Sequence, residues 1–237
     1  MSTDKTIRAD LVTEMKQGRY AKCDHLPPEK ELAEQLGISR TQLRDVLASL
    51  EREGFITRRH GVGTVINHFV LAVQTRMDME TEFLDMIRES GYDPGVAFVE
   101  TDAYPADAHI AQLLHITEGE PVISVTRLCT ADGKPAILCS DIIHKGLIHS
   151  PYTQKDLLDP IFHFLQHFCS LTPYMDLTEL KAVAADSRLA QAFQISEGSP
   201  LLRMEEVDYS VDGRPVMCSI QHFADGIIRH TVMRKKL

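Results

Sequence analysis

With 237 residues, 43% apolar and 25% charged, the chain has room for two domains with separate cores, and its composition excludes a disordered or fibrous protein. Its net charge of −9 excludes a broadly basic surface, so any nucleic acid must be held by a local basic face. No apolar run reaches the length of a membrane span, and the opening MSTDKTIRAD lacks the basic and apolar regions of a signal peptide; the expectation is a cytoplasmic protein with no membrane partner.

Charge is unevenly divided. Residues 1–67 carry 11 Lys and Arg against 10 Asp and Glu, while the remainder carries 14 against 24, so only the first segment offers a basic face. In that segment Ile7, Leu11 and Met15 recur at helical spacing after a Thr3 or Asp4 cap, which predicts a first helix over residues 5–17. After Gly18 and the loop HLPPEK, Pro28 stands at a favoured first helical position, and Leu32, Ala33 and Leu36 mark a short second helix ended by Gly37. Ser39 is placed to cap a third.

In the third helix Leu43, Val46, Leu47 and Leu50 form one apolar stripe, and Arg40, Thr41 and Arg44 lie together on the other side. A charged face alone is ordinarily just solvated. Here two helices joined by a short turn are followed by two strand-like segments, FITRRH and TVIN, around HGVG, the order of a helix-turn-helix with a β-wing. Arg40 and Arg44 suit guanine edges, and Lys30, Ser39, Thr41, Arg58 and Arg59 suit phosphate oxygens.

The stretch LPPEKELAEQLGISRTQLRDVLASLEREGFITRRHGVGTVIN resembles the winged helix-turn-helix of the GntR family of bacterial transcription regulators. The resemblance implies DNA contacts from Lys30, Arg40, Thr41 and Arg44, and from a wing glycine, Gly61 or Gly63, in the minor groove. The family often places a basic residue between those glycines; here it is Val62, so wing charge rests on Arg58, Arg59 and His60.

We place the first domain at residues 1–67, a linker at 68–77 and a second domain at 78–237. ETEFLDMIRESGYDPG predicts an amphipathic helix closed near Gly91, and DLLDPIFHFLQHFCSL predicts another. The stretch AQLLHITEGEPVISVTRLCTADGKPAILCSD, from Ala111, recurs as AQAFQISEGSPLLRMEEVDYSVDGRPVMCSIQ, from Ala190, at an offset of 79 that becomes 80 because Val211 is inserted. Each copy reads as a helix, a Glu-Gly-x-Pro turn, an apolar strand, an Asp-Gly turn and a second strand begun near Pro135 or Pro215. Two copies are too few for a solenoid, so the expectation is one antiparallel sheet with helices outside, an α+β architecture.

This repeat behind a GntR-like segment resembles the effector-binding (UTRA) module of the HutC subfamily, related in fold to chorismate lyase. That implies a small-molecule pocket beside the sheet, homodimerisation and release of DNA on ligand binding. In members that bind phosphorylated sugars an arginine matching Arg127 holds the anion; its partner in the second copy is Glu206. Other pocket positions depart: Pro94 is followed by Gly95-Val96, and Cys139 and Met217 stand where carboxylates are common. Unpaired hydroxyls penalise a polyol in such a pocket, so the expected effector is a less hydroxylated organic anion, with Arg127 as counter-ion and Cys139, Ser140, Asp141, His144, Tyr209 and His222 lining the site.

His163 and His167 stand at i, i+4, but with no HExxH and no third ligand they are read as part of a core-facing helix rather than a zinc site. The five cysteines, odd in number and without a CxxC pair, argue against disulfides or structural zinc and are read as small buried hydrophobes. No cofactor is implied. The favoured function is a dimeric, ligand-released repressor reading an inverted repeat. The alternatives are an enzyme of chorismate-lyase-like fold, for which no nucleophile, base and orienter stand in a nameable motif, and a DNA-binding protein whose second domain only dimerises.

Overall fold

A computed structural model describes residues 3–79, 81–157 and 160–235. The chain divides between Gln74 and Thr75 into two compact units.

The first unit holds α1 (Thr3–Lys16), α2 (Glu29–Leu36), α3 (Arg40–Arg52), the hairpin β1 (Ile56–Arg59) and β2 (Gly63–Ile66), and the short helix α4 (His68–Leu71). Leu11 and Met15 of α1, Leu32 and Ala33 of α2 and the α3 stripe Leu43, Val46, Leu47 and Leu50 are all buried. Each such large side chain contributes about 1.5–3 kcal/mol relative to exposure, so the stripe alone anchors α3. Pro28 sits one residue earlier than expected, as the N-cap of α2 with φ −52° and ψ 143°. An extended ψ ends the run there, and the helix begins at Glu29.

Residues 68–77 differ from the expected linker. Val70 and Leu71 of α4 are buried in the first unit, while β3 (Thr75–Arg76) pairs in parallel with β10 (His230–Thr231) of the second. Their apolar and backbone groups find partners far away in sequence, which a local reading has no means of seeing.

The second unit is built on one six-stranded antiparallel sheet in the order β4 (Pro94–Pro105), β5 (Pro121–Ala131), β6 (Lys134–His144), β9 (Pro215–Ala224), β8 (Pro200–Tyr209), β7 (Met175–Ala184). The duplication is longer than the alignable repeat: β4, α6 (Ala108–Leu114), β5, β6 is matched by β7, α8 (Ser187–Phe193), β8, β9, and β6 and β9 join the copies at the centre. Equivalent caps show the match, Asp107 accepting from the Ile110 N–H and Asp186 from the Leu189 N–H, each at 2.8 Å. At the β5–β6 turn Asp132 and Gly133 both take positive φ, 50° and 77°, as a two-residue turn matching strand twist requires. In the second copy the inserted Val211 is 80% exposed in a longer turn.

Helices α6 and α8 pack on one sheet face through Ile110, Leu114 and Phe193. The other face carries α7 (Ile161–Phe168) over Ile123, Val125 and Met217, and α5 (Phe83–Glu89) over Ile137 and Phe223. Helix α7 starts after Pro160, later than the expected segment, whose residues 158 and 159 lie outside the described residues. Four of the cysteines are buried as expected, but Cys23 is exposed in the first unit.

Candidate nucleic-acid interface and ligand cavity

Helix α3 begins where Ser39 Oγ accepts the Gln42 backbone N–H at 3.1 Å, satisfying one of the orphan donors of the first turn. The first turns then present Arg40, Thr41 and Arg44 to solvent on the face opposite the buried stripe. Arg44 Nε donates to Glu29 Oε2 of α2 at 2.9 Å, with 60% of the arginine side chain exposed. An ion pair that open is weak and screened, so the guanidinium can exchange this partner for a phosphate or a base edge. Lys30, next along α2, is exposed.

At the wing, β1 and β2 pair in register from Ile56↔Ile66 to Arg59↔Gly63. Gly61 and Gly63 take φ of 77° and 101°, which side-chain-bearing residues rarely adopt, so the glycines shape the tip that Arg59, His60 and Val62 share. Arg58 departs from the expected phosphate contact. Its backbone N–H and Nε both donate to the Glu51 carboxylate at 2.8 Å, bracing β1 against the end of α3.

In the second unit a cavity of about 810 Å³ lies on the α5/α7 face of the sheet. Its floor includes Arg127 and Cys129 of β5, Asp141 of β6, Met204 and Glu206 of β8 and Ser219, Gln221 and Phe223 of β9. Its walls include β3, Met77 to Met79, Glu82 and the first turns of α5, and His230 of β10.

Alternation of side chains along a strand sorts the expected effector residues. The register rows Arg127↔Cys139↔Gln221↔Met204 and Asp141↔Ser219↔Glu206 run along the cavity face. The neighbours of those residues therefore point to the α6/α8 face, and this corrects four expected positions. Ser140 bonds Thr126 across the strands at 2.9 Å, His222 is registered with Leu138 and Arg203, and Tyr209 packs beside the α6 cluster. His144 pairs with Glu120 at 3.0 Å and lines a separate, smaller cavity of about 330 Å³. A side chain one residue off register is on the wrong side of the sheet.

Arg127 and Asp141 do line the cavity, but facing each other. Arg127 Nη1 donates to Asp141 Oδ2 at 2.7 Å and Nη2 to the Leu157 carbonyl at 2.8 Å. Asp141 Oδ1 accepts from Ser219 Oγ at 2.8 Å and from Cys139 Sγ at 3.1 Å. Burial pushes the Cys139 thiol well above its usual range, with the Asp141 charge adding to the shift, so the thiol stays a hydrogen donor beneath the cavity floor. Arg127 thus ties the sheet to the segment before α7, with its charge met by a carboxylate.

Residues absent from the sequence reading complete the site: Thr75, Arg76, Glu82, Asp176 and His230. Burial, and then the Asp141 charge, pushes the Glu82 carboxyl above its usual range. Burial lowers the His230 imidazole, keeping it neutral. The α7 imidazoles of His163 and His167 lie instead on its exposed side, His167 Nδ1 bonding the His163 carbonyl at 2.8 Å.

Residues 3–66 match the profile described as "Bacterial regulatory proteins, gntR family", and residues 89–225 match the UTRA domain. The chain is 27% identical to "Probable transcriptional regulator PhnF" of Escherichia coli (strain K12), over 86% of this chain and 83% of that one. It is 26% identical to the HTH-type transcriptional repressor NagR of Bacillus subtilis (strain 168), over 87% of this chain and 84% of that one. Among solved structures, Bacillus subtilis YydK superposes with a TM-score of 0.80 at 18% identity, covering 99% of this chain and 100% of that one. PhnF of Mycobacterium smegmatis superposes with a TM-score of 0.60 at 20% identity, covering 97% and 99%. These relatives are transcription regulators rather than enzymes. GntR regulators bind DNA and UTRA domains bind small-molecule effectors. No described helix is long and apolar enough to cross a membrane. A basic recognition-helix face, a glycine-shaped wing and a cavity on a duplicated sheet therefore fall within one known architecture: the chain belongs to the GntR family of transcription regulators, with a UTRA effector domain behind its helix-turn-helix.

Proposed function

We propose that this regulator is a repressor, that it binds an inverted-repeat operator as a homodimer, and that a small molecule filling the 810 Å³ cavity releases it from DNA. The observation that carries the reading is the coexistence in one chain of an exposed Arg40, Thr41, Arg44 face on a capped helix and a separate cavity that DNA binding has no use for. Lys30, Arg59, Gly61 and Gly63 supply backbone and minor-groove contacts around base readout by Arg40 and Arg44, and Ser39 divides its hydroxyl between capping and phosphate. Set on the two units, the DNA-binding part expected in residues 1–67 extends to Gln74 and the effector part expected in 78–237 begins at Thr75, so the connection expected at 68–77 is divided between them.

Two features support the finer points. NagR, a relative over most of the chain, is named a repressor. The edge strand β7 exposes Met175 and Leu177, at 57% and 66%, two apolar side chains on the same face of an open edge suited to a second copy of the chain. In such a dimer the effector acts by changing the freedom of the two DNA-binding units, so that both no longer meet their half-sites together. Such coupling is typically about 5–150-fold in affinity.

Selection of a randomised DNA pool at one stated salt concentration tests the reading. An enriched inverted repeat, bound at two chains per duplex, is the expected result. Enrichment of a single half-site bound by one chain overturns the dimeric operator. An operator affinity that no small molecule alters leaves the second unit as a dimeriser alone.

A further inference from the structure

The kind of group by which the effector is held can be read from two buried atoms, on the reading above that the 810 Å³ cavity is the effector site. Thr75 of β3 is 4% exposed and its Oγ1 has no hydrogen-bond partner among the described residues; the same holds for Nε2 of His230 in β10. The two residues are registered opposite each other, and both line the cavity. Buried polar atoms are seldom left unpaired, and two together on one cavity wall mark a place for an occupant's polar group.

The scaffold has no use for either atom. Strands β3 and β10 are joined by their parallel pairing and by the Met77 N–H, which donates to the Thr231 carbonyl at 2.8 Å, all of it backbone. A valine fills the space of a threonine, and a phenylalanine would keep the edge-on contact that the His230 ring makes with Phe223, centroids 4.6 Å apart. Apolar residues of the same shape would spare the fold two unpaired polar atoms, so the hydroxyl and the ring nitrogen serve something other than packing.

Elsewhere on the lining, Arg127 and Ser219 each donate to Asp141, at 2.7 and 2.8 Å, and Thr178 Oγ1 donates to Glu206 at 3.0 Å. An occupant that bonds those groups competes with a partner inside the protein. At Thr75 Oγ1 and His230 Nε2 it competes with none. Burial lowers the His230 imidazole and keeps it neutral, so Nε2 donates in one tautomer and accepts in the other, while a threonine hydroxyl takes either role. A ligand group that both donates and accepts pairs with this wall in either arrangement, whereas one that only accepts is served by one tautomer alone. Phe83, Met204 and Phe223 offer apolar surface to the rest of the occupant.

We propose that the wall formed by β3 and β10 is the polar anchor of the effector cavity: it takes a ligand group that both donates and accepts hydrogen bonds, a carboxamide or a hydroxyl, at Thr75 Oγ1 and His230 Nε2, with the apolar body of the ligand against Phe83, Met204 and Phe223.

Two probes sharing one apolar body test it on the full-length protein by ligand-observed NMR titration: 4-phenylbutanamide, which donates and accepts, and methyl 4-phenylbutanoate, which only accepts. A cavity without a polar anchor prefers the ester, whose transfer out of water costs less. The expected result is the reverse, an amide bound about fivefold or more tightly than the ester, the effect of one further hydrogen bond. Thr75→Val and His230→Phe should each weaken the amide by about fivefold, and in the double variant the preference should turn to the ester. Because neither polar atom holds the fold, each single variant should melt no lower than the unsubstituted chain. An ester bound as tightly as the amide, or an amide whose affinity survives both substitutions, overturns the anchor while the cavity stays the ligand site. A lowered melting temperature in Thr75→Val would give the hydroxyl a role in the fold and overturn the anchor whatever the ligand. Binding of neither probe overturns the anchor and counts against the cavity itself.

Discussion

The two units keep function in opposite places. In the DNA-binding unit the core and the functional face are separate, with Leu43, Val46, Leu47 and Leu50 inside and Arg40, Thr41 and Arg44 outside on the same helix. In the effector unit the charged groups of the cavity lie inside, so Arg127 and Asp141 line the cavity and hold the sheet together at once. The comparison teaches that charged residues can be exchanged at little structural cost in the first unit, whereas in the second a change at the site is also a change to the core.

The largest expected effect breaks the buried pair. Arg127→Met leaves Asp141 uncompensated and should lower unfolding free energy by about 3–5 kcal/mol, measured by denaturant titration. An unchanged midpoint would mean that the pair is no part of the scaffold, and the contrast between the units would fail.

Next in size, Arg40→Ala should leave the melt unaltered and weaken operator binding by about 1–3 kcal/mol, with relaxed base preference at one position. Lys30→Ala should weaken all sequences alike and reduce the slope of log affinity against log salt by about one. A uniform loss in both variants would assign Arg40 to the backbone rather than to the bases.

The wing sharpens the comparison, because it carries one arginine of each kind. Arg58→Ala removes the brace to Glu51 and should cost stability by about 1 kcal/mol or less, with the pair part-exposed, while Arg59→Ala should leave stability alone and reduce the salt slope of DNA binding. Equal salt slopes in the two variants would put Arg58 on DNA after all.

The smallest effect is a pH dependence confined to the effector unit, because both imidazoles concerned are only part-buried. Burial lowers His222 and His230, with Arg203 also acting on His222. An unfolded imidazole takes up its proton near pH 6.5, whereas these do so only at lower pH, so their contribution is complete above about pH 6.5 and is lost as the pH falls through the folded values. A melting temperature that declines on mild acidification, less steeply in His230→Asn, is the expected outcome. An equal decline in that variant would place the acid sensitivity elsewhere.

Much of the first unit is legible in the chain because its signals are local. Ser39 caps four residues before Leu43, the apolar stripe repeats within one helix, and Gly61 and Gly63 meet a backbone need two residues apart. Half of the cavity follows equally from local rules. The duplication foretells one sheet, and period-two alternation puts Asp141 and Ser140 on opposite faces, a signal that would have removed Ser140 from the expected lining. His144 and His222 are polar residues whose partners lie on the other face, which composition does not reveal.

Short-range periodicity, caps and turn residues are properties of a few neighbouring positions, so the residue order already settles the helix-turn-helix, its wing and the duplicated strands. The cavity is of another kind. Its roof begins with a two-residue strand, Thr75–Arg76, paired with His230–Thr231 at the far end of the chain, and Asp141 meets Arg127 and Ser219 only through the register of three strands. Whether Arg127 greets a ligand or a carboxylate of its own protein depends on contacts between distant segments, and only folding brings those together.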